Sequence, residues 1–240
     1  MTKKPINQND IFNLELLNSI STRYLFDNKP INRLKSKINI KKVDNNDKHK
    51  NLEHLKKEIN SIEDCNFKDN SSQIVFGNGD INSPIMIIGG VPNIEDDVSG
   101  KVFSGTDGEL LKKMLRAINI TIENIYLTYA INFRPFDDRK PSSTEIKRYS
   151  DFLKKHINII NPQLIIIMGS IAMESLTGIN AKISVERGIW KETIIQNDNY
   201  NLIVTFDPSY LLRIPENKKH AWEDLKKIRN KIDQLKLTIK

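Results

Sequence analysis

Three segments of this 240-residue chain gather side chains capable of chemistry. The first, GGVPNIEDDVSGKVFSGTDGELL, begins at Gly89. It holds the turn Gly89, Gly90, Val91, Pro92 and Asn93, then the carboxylates Asp96 and Asp97, then Phe103 between glycines. A carboxylate in such a place can take a proton from water. The stretch also reads as a long glycine-rich connection. It is not a phosphate loop, because neither G-x-x-x-x-G-K-[ST] nor G-x-G-x-x-G follows the strand, and Gly77-Asn78-Gly79 is a lone G-x-G. The second segment, NFRPFDDRKPSSTEI, sets Arg134 and Arg139 around Pro135 and two aspartates. It reads equally as a solvated loop with internal ion pairs. The third, DPSYLLRIPENKKHAWEDL, opens with Asp207, Pro208 and Ser209 and brackets Leu211-Leu212-Arg213 between two prolines. Two uses stand open for the leucines. They form a wedge that unstacks a base step, with Arg213 on a phosphate, or they pack under the following helix.

The elements that must position these segments follow from apolar spacing. Short β-branched runs at 84–90, 124–131, 163–169 and 201–207 predict four buried strands. Helical patterns lie between them: 108–118, 143–160 with a Ser142-x-x-Glu145 capping box, 170–178 stopped by Gly178, and 220–235. Strands alternating with helices predict an α/β fold around a largely parallel sheet. Ligands in such sheets bind beyond the C-terminal strand ends, where all three segments fall.

The N-terminal part has a different texture. Residues 9–26 carry Ile11, Leu14, Leu17, Ile20 and Tyr24 at helical spacing. Residues 33–58 are mostly Lys, Asn and Asp, which predicts a polar linker running into a polar helix near 51–62. The domain expectation is a helical extension over 1–30, a basic linker over 31–62 and one α/β domain over 63–240.

Composition narrows the function. No apolar run spans a bilayer, and the N-terminus has no apolar signal segment, so the expectation is a cytoplasmic protein. A formal charge of +7 and a pI near 9.3 suit a polyanionic partner such as nucleic acid. The one cysteine, Cys65, makes no internal disulfide and holds no metal alone.

Taken in order, the three segments resemble the uracil-DNA glycosylase superfamily, most closely its family 4 branch, over about the last 170 residues. Val75-Phe76-Gly77-Asn78-Gly79 is similar to the opening of bacterial members. Gly89–Asn93 matches Gly-Glu-Ala-Pro-Gly, and Gly100–Gly105 matches Gly-[Arg/Lys]-Pro-Phe-x-Gly. Tyr126–Tyr129 matches Tyr-[Ile/Leu]-Thr-Asn, and Phe133–Phe136 matches Cys-Arg-Pro-Pro. Asp207–Arg213 matches His-Pro-[Ser/Ala]-x-Leu-Leu-Arg.

The resemblance implies a three-layer α/β/α fold with a four-stranded, mostly parallel sheet. It implies DNA repair by base excision, in which a flipped base is held and its N-glycosidic bond hydrolysed. It assigns Phe103 to stack on the base, and Gly89, Gly90, Val91, Pro92, Asn93 and Tyr129 to the base pocket. Pro208, Ser209, Leu211, Leu212, Arg213 and Arg134 fall to the DNA contact. The departures fall on the chemistry. The motif Glu is Gly90, the base-pairing Asn is Tyr129, and the His that stabilises the leaving base is Asp207. The iron–sulfur ligands become Ile62, Cys65, Phe133 and Tyr149, so neither a cluster nor any other metal is expected. Asp207 is then the expected catalytic residue, with Asp96 and Asp97 as rivals. The alternative is a catalytically degenerate DNA-binding protein on the same fold. Either is expected to be a monomer.

Overall fold

The computed structural model describes residues 45–63 and 65–239, all within one compact unit, Val43–Lys240. The expected helix over 9–26 and the 1–30 extension lie outside the described residues. Six strands form one sheet: β1 Gly77–Gly79, β2 Ile85–Gly89, β3 Tyr126–Tyr129, β4 Leu164–Met168, β5 Trp190–Ile195 and β6 Asp198–Thr205. Their order is β1-β3-β2-β4-β6-β5. The four inner strands run parallel, with Ile87 opposite both Leu127 and Ile166, and Ile166 opposite Ile203. These are the four expected strands.

The two edges correct the expected count. β1 pairs antiparallel with β3, and β5 antiparallel with β6. β1 is Gly-Asn-Gly and has no apolar side chain to announce it. β5 buries only Ile195, so its pattern is too polar to read as a core strand.

Nine helices lie among the described residues: α1 Asn45–Asn60, α2 Asn66–Asn70, α3 Ile94–Ser99, α4 Gly105–Arg116, α5 Ser143–Ile160, α6 Ser170–Thr177, α7 Ile183–Glu186, α8 Pro208–Arg213 and α9 Lys218–Gln234. The side-chain period of two sends alternate strand residues to opposite faces. Met86, Ile88, Ile165 and Ile167 join one apolar cluster with α1, α5 and α6. Ile85, Ile87, Leu164 and Ile166 join the other with α4 and α9. Helices on both faces of one sheet make the three-layer fold that the sequence suggested. The Ser142 capping box on α5 forms as read, with the Ser142 side chain accepting from the Glu145 amide.

α1 overlaps the polar helix expected near 51–62. It starts at Asn45, and it buries Leu52, Leu55 and Ile59 in the cluster shared with α5. Lys48 Nζ donates to the Ile160 carbonyl at 2.8 Å. Residues 45–60 thus pack as part of the domain. Three apolar residues at helical spacing suffice for this, although Lys and Asn dominate the composition. No helix among the described residues is long and apolar enough to cross a membrane.

Two buried polar clusters fix the layers. On α9, Asp224 is fully buried, accepts from Thr205 Oγ1 at 2.8 Å and pairs with Arg187 at 2.6 Å. On α5, His156 is buried, meets the Tyr126 hydroxyl at 2.8 Å and stacks on Phe76 at 4.4 Å. Burial lowers the His156 pKa to about 3. An unfolded His titrates near 6.5, so between about pH 3 and 6.5 the unfolded chain holds a proton that the folded chain lacks. Stability therefore rises with pH across that window. Urea denaturation should show this group's part as about 2 kcal/mol lost between pH 7 and pH 5. His156→Gln, which keeps a partner for the Tyr126 hydroxyl, should remove that part of the slope.

Candidate active site

The three segments meet at the C-terminal ends of β2, β3, β4 and β6, around one cavity of about 730 Å³. Each wall comes from a strand end and the helix after it. β2 hands over to Gly90, Val91, Pro92 and Asn93, and Asn93 caps α3 in a capping box with Asp96. Phe103 then turns the chain with φ +53°. That left-handed backbone costs a phenylalanine on the order of 1–3 kcal/mol, and it sets the ring in the cavity wall. Tyr129 closes β3, 5.0 Å from Phe103 between ring centres. Asp207 follows β6 and caps α8.

Tyr129 does not replace an amide edge. Its hydroxyl donates to Asp96 Oδ2 at 2.7 Å and accepts from the Phe103 amide at 3.2 Å. Burial, with Asp96 beside it, holds the phenol well above its ordinary pKa. Both hydrogen-bonding roles are spent inside the protein, so the ring walls the pocket and reads nothing. A Cβ on Gly89 would stand 2.5 Å from this ring, so only glycine lets it lie there. At Gly90, where the resemblance has Glu, the space beside the backbone belongs to Ile171, 3.2 Å from an added Cβ.

The carboxylates separate clearly. Asp96 is fully buried, and besides Tyr129 it accepts from Asn93 N at 3.0 Å, Ser104 N at 2.7 Å and Ser104 Oγ at 2.8 Å. Asp97 is buried and accepts from the Ser72 amide at 3.0 Å. Neither lines the cavity. Both anchor the loop between β2 and α4 by their hydrogen bonds. Asp207 does line it. Its Oδ1 accepts from Ser209 N at 2.9 Å and Ser209 Oγ at 2.6 Å, while Oδ2 has no partner among the described residues. Burial raises the Asp207 pKa, against the two Ser209 bonds, with Asp107 adding to the rise.

Asp107 is the residue that the sequence reading missed. It sits in the first turn of α4, where an acidic residue is ordinary, so nothing marked it. The fold brings it into the cavity, where Asn93 Nδ2 donates to its Oδ2 at 3.2 Å. Half-burial raises its pKa, opposed by that bond. Tyr210 was also missed. It lines the cavity and stacks on Phe206 at 5.1 Å.

The expected DNA-contact residues scatter. Arg213 is exposed and lines the cavity. Arg134 is held by Asp138 at 2.8 Å and is not in the cavity wall. Pro208 is buried at the start of α8. The wedge is corrected: Leu211 and Leu212 lie on α8, not a loop. Leu211 is 1% exposed in the apolar cluster beneath, whereas Leu212 is 41% exposed. The packing alternative holds for Leu211 because residues one apart on a helix face different ways.

The positions of the family's cluster ligands do not fit an iron–sulfur group. Ile62, Cys65, Phe133 and Tyr149 are all buried in one apolar cluster. Cys65 Sγ lies 3.0 Å from the Tyr149 hydroxyl. One thiol bonded to a phenol among apolar groups offers one ligand where four are needed.

The model of the Uracil DNA glycosylase superfamily matches residues 76–226. The type-4 uracil-DNA glycosylase of Thermotoga maritima is 30% identical to the chain, over 75% of this chain and 93% of that protein. The type-4 enzyme of Archaeoglobus fulgidus is 26% identical, over 74% and 91%. That of Sulfurisphaera tokodaii is 30% identical, over 74% and 83%.

The two leucines of α8 should respond differently. Leu211→Ala should cost about 2–5 kcal/mol in urea denaturation, as for a core leucine. Leu212→Ala should stay within about 0.5 kcal/mol.

Proposed function

The chain belongs to the uracil DNA glycosylase superfamily, and from that premise we propose that it is a cytoplasmic, monomeric DNA repair protein that excises an extruded damaged base. The observation that carries this reading is the cavity at the strand ends, walled by Phe103 and lined by Asp207, whose Oδ2 has no partner among the described residues. The damaged nucleotide leaves the stack and its base lies against Phe103. Asp207 takes the proton of a water that attacks C1′ of the sugar, and its negative charge steadies the cationic sugar as the N-glycosidic bond breaks. Ser209 fixes the carboxylate by its amide and hydroxyl. Arg213, exposed beside the cavity, suits a phosphate of the same strand.

A second reading has its own support. Ile171 fills the side of Gly90, and the Tyr129 hydroxyl is spent on Asp96. A protein that binds DNA and turns nothing over would also look like this. The two readings part on one experiment: release of base from duplex and single-stranded oligonucleotides carrying uracil, hypoxanthine or xanthine, with protein in stoichiometric amount. Excision that falls about 10²–10⁴-fold in Asp207→Asn supports the enzyme. Salt-sensitive binding with no base released from any lesion supports the binding protein.

Because burial lifts the Asp207 pKa, a required carboxylate is lost as pH falls through that raised value. The acidic limb of the rate profile should therefore lie above the ordinary aspartate range. The purified protein should also be colourless and free of iron by elemental analysis, and a brown, iron-bearing protein would overturn the reading of the Cys65 site.

A further inference from the structure

We infer that the base taken by this cavity is a positively charged, N-alkylated one, with Asp107 as the residue that selects it. The inference rests on the glycosylase reading above and names the substrate class of the same site. It stands on the charges and rings that the fold brings together.

A glycosylase that removes uracil must accommodate a leaving group that departs as an anion. The resemblance places a His for that purpose where this chain has Asp207. A carboxylate there repels a departing anion. Asp107 lines the same cavity, and its charge opposes ionisation of Asp207. On the side of the cavity formed by Tyr129 and Asn93, neither side chain offers a free paired donor–acceptor edge to a uracil; the amide of Asn180 stands elsewhere, in the exposed rim. The Tyr129 hydroxyl is consumed, and Asn93 spends its Oδ1 on the Asp96 amide and an Nδ2 hydrogen on Asp107. The cations of the cavity, Lys140, Lys182 and Arg213, are all exposed and suit the DNA backbone.

The same features favour a cationic base. Aromatic faces attract cations, and Phe103, Tyr129 and Tyr210 supply them. The carboxylate of Asp107, steadied by Asn93, offers the opposite charge and an Oδ1 that accepts from no other group among the described residues. A cavity of about 730 Å³ admits a purine as readily as a pyrimidine, so charge decides and size does not. The chemistry then needs no anion stabilisation. For 7-methylguanine the C1′–N9 bond breaks and its electron pair flows into the cationic imidazolium ring, so the base leaves neutral. The water oxygen bonds to C1′, and the proton it loses passes to Asp207 and on to solvent.

The test uses the full chain and oligonucleotides carrying a single 7-methylguanine, uracil or hypoxanthine. Free base is measured by chromatography against a control without protein, which corrects for spontaneous loss of 7-methylguanine. The expected result is release of 7-methylguanine at least about tenfold faster than release of uracil, with that preference lost in Asp107→Asn. Release of uracil or hypoxanthine without 7-methylguanine would overturn this inference and leave the glycosylase reading standing. An unchanged preference in a folded Asp107→Asn would overturn the role of Asp107. Release of no base at all would overturn both the inference and the reading beneath it.

Discussion

The site hangs on one buried carboxylate. Asp96 receives four hydrogen bonds, from the amides of Asn93 and Ser104 and the hydroxyls of Ser104 and Tyr129. An unpaired charge in that place would be very costly, and a fully bonded one is a rigid node. It ties the loop after β2 to the start of α4 and to the end of β3. Phe103 is held in its left-handed turn between two of these partners, with its amide on the Tyr129 hydroxyl. The geometry of the aromatic wall is therefore a consequence of Asp96, although Asp96 never meets the cavity.

The sequence made the body of the fold legible and blurred its edges. Inner strands are continuous apolar runs because both faces are buried, and such runs are hard to misread. β1 and β5 have solvent on one side and few apolar residues, so nothing set them apart from turns. The helix near α1 was legible, but its charge hid its docking, since three buried apolar residues are enough to seat a helix rich in lysine and asparagine.

The site was legible as a set of segments and not as a division of labour. Asp96, Asp97 and Asp207 are alike in sequence, and only their partners and the cavity tell a bonded anchor from a carboxylate that lines the pocket. Asp107 looked like an ordinary first-turn carboxylate until the loop after β2 was seen to lie beside it. Leu211 and Leu212 looked like a pair until a helix turned them to different faces. In each case the deciding fact is a contact between distant parts of the chain.

The contact between Gly90 and Ile171 bears on how this chemistry can change over time. A side chain regrown at position 90 begins 3.2 Å from the Cβ of Ile171, with Cδ1 and Cγ2 of the same residue close behind. A larger residue there presses on a branched side chain that itself packs on the core and must give by a few tenths of an ångström. Position 90 can therefore carry a side chain only as far as Ile171 yields, so the size of residue 171 helps to set what residue 90 can be.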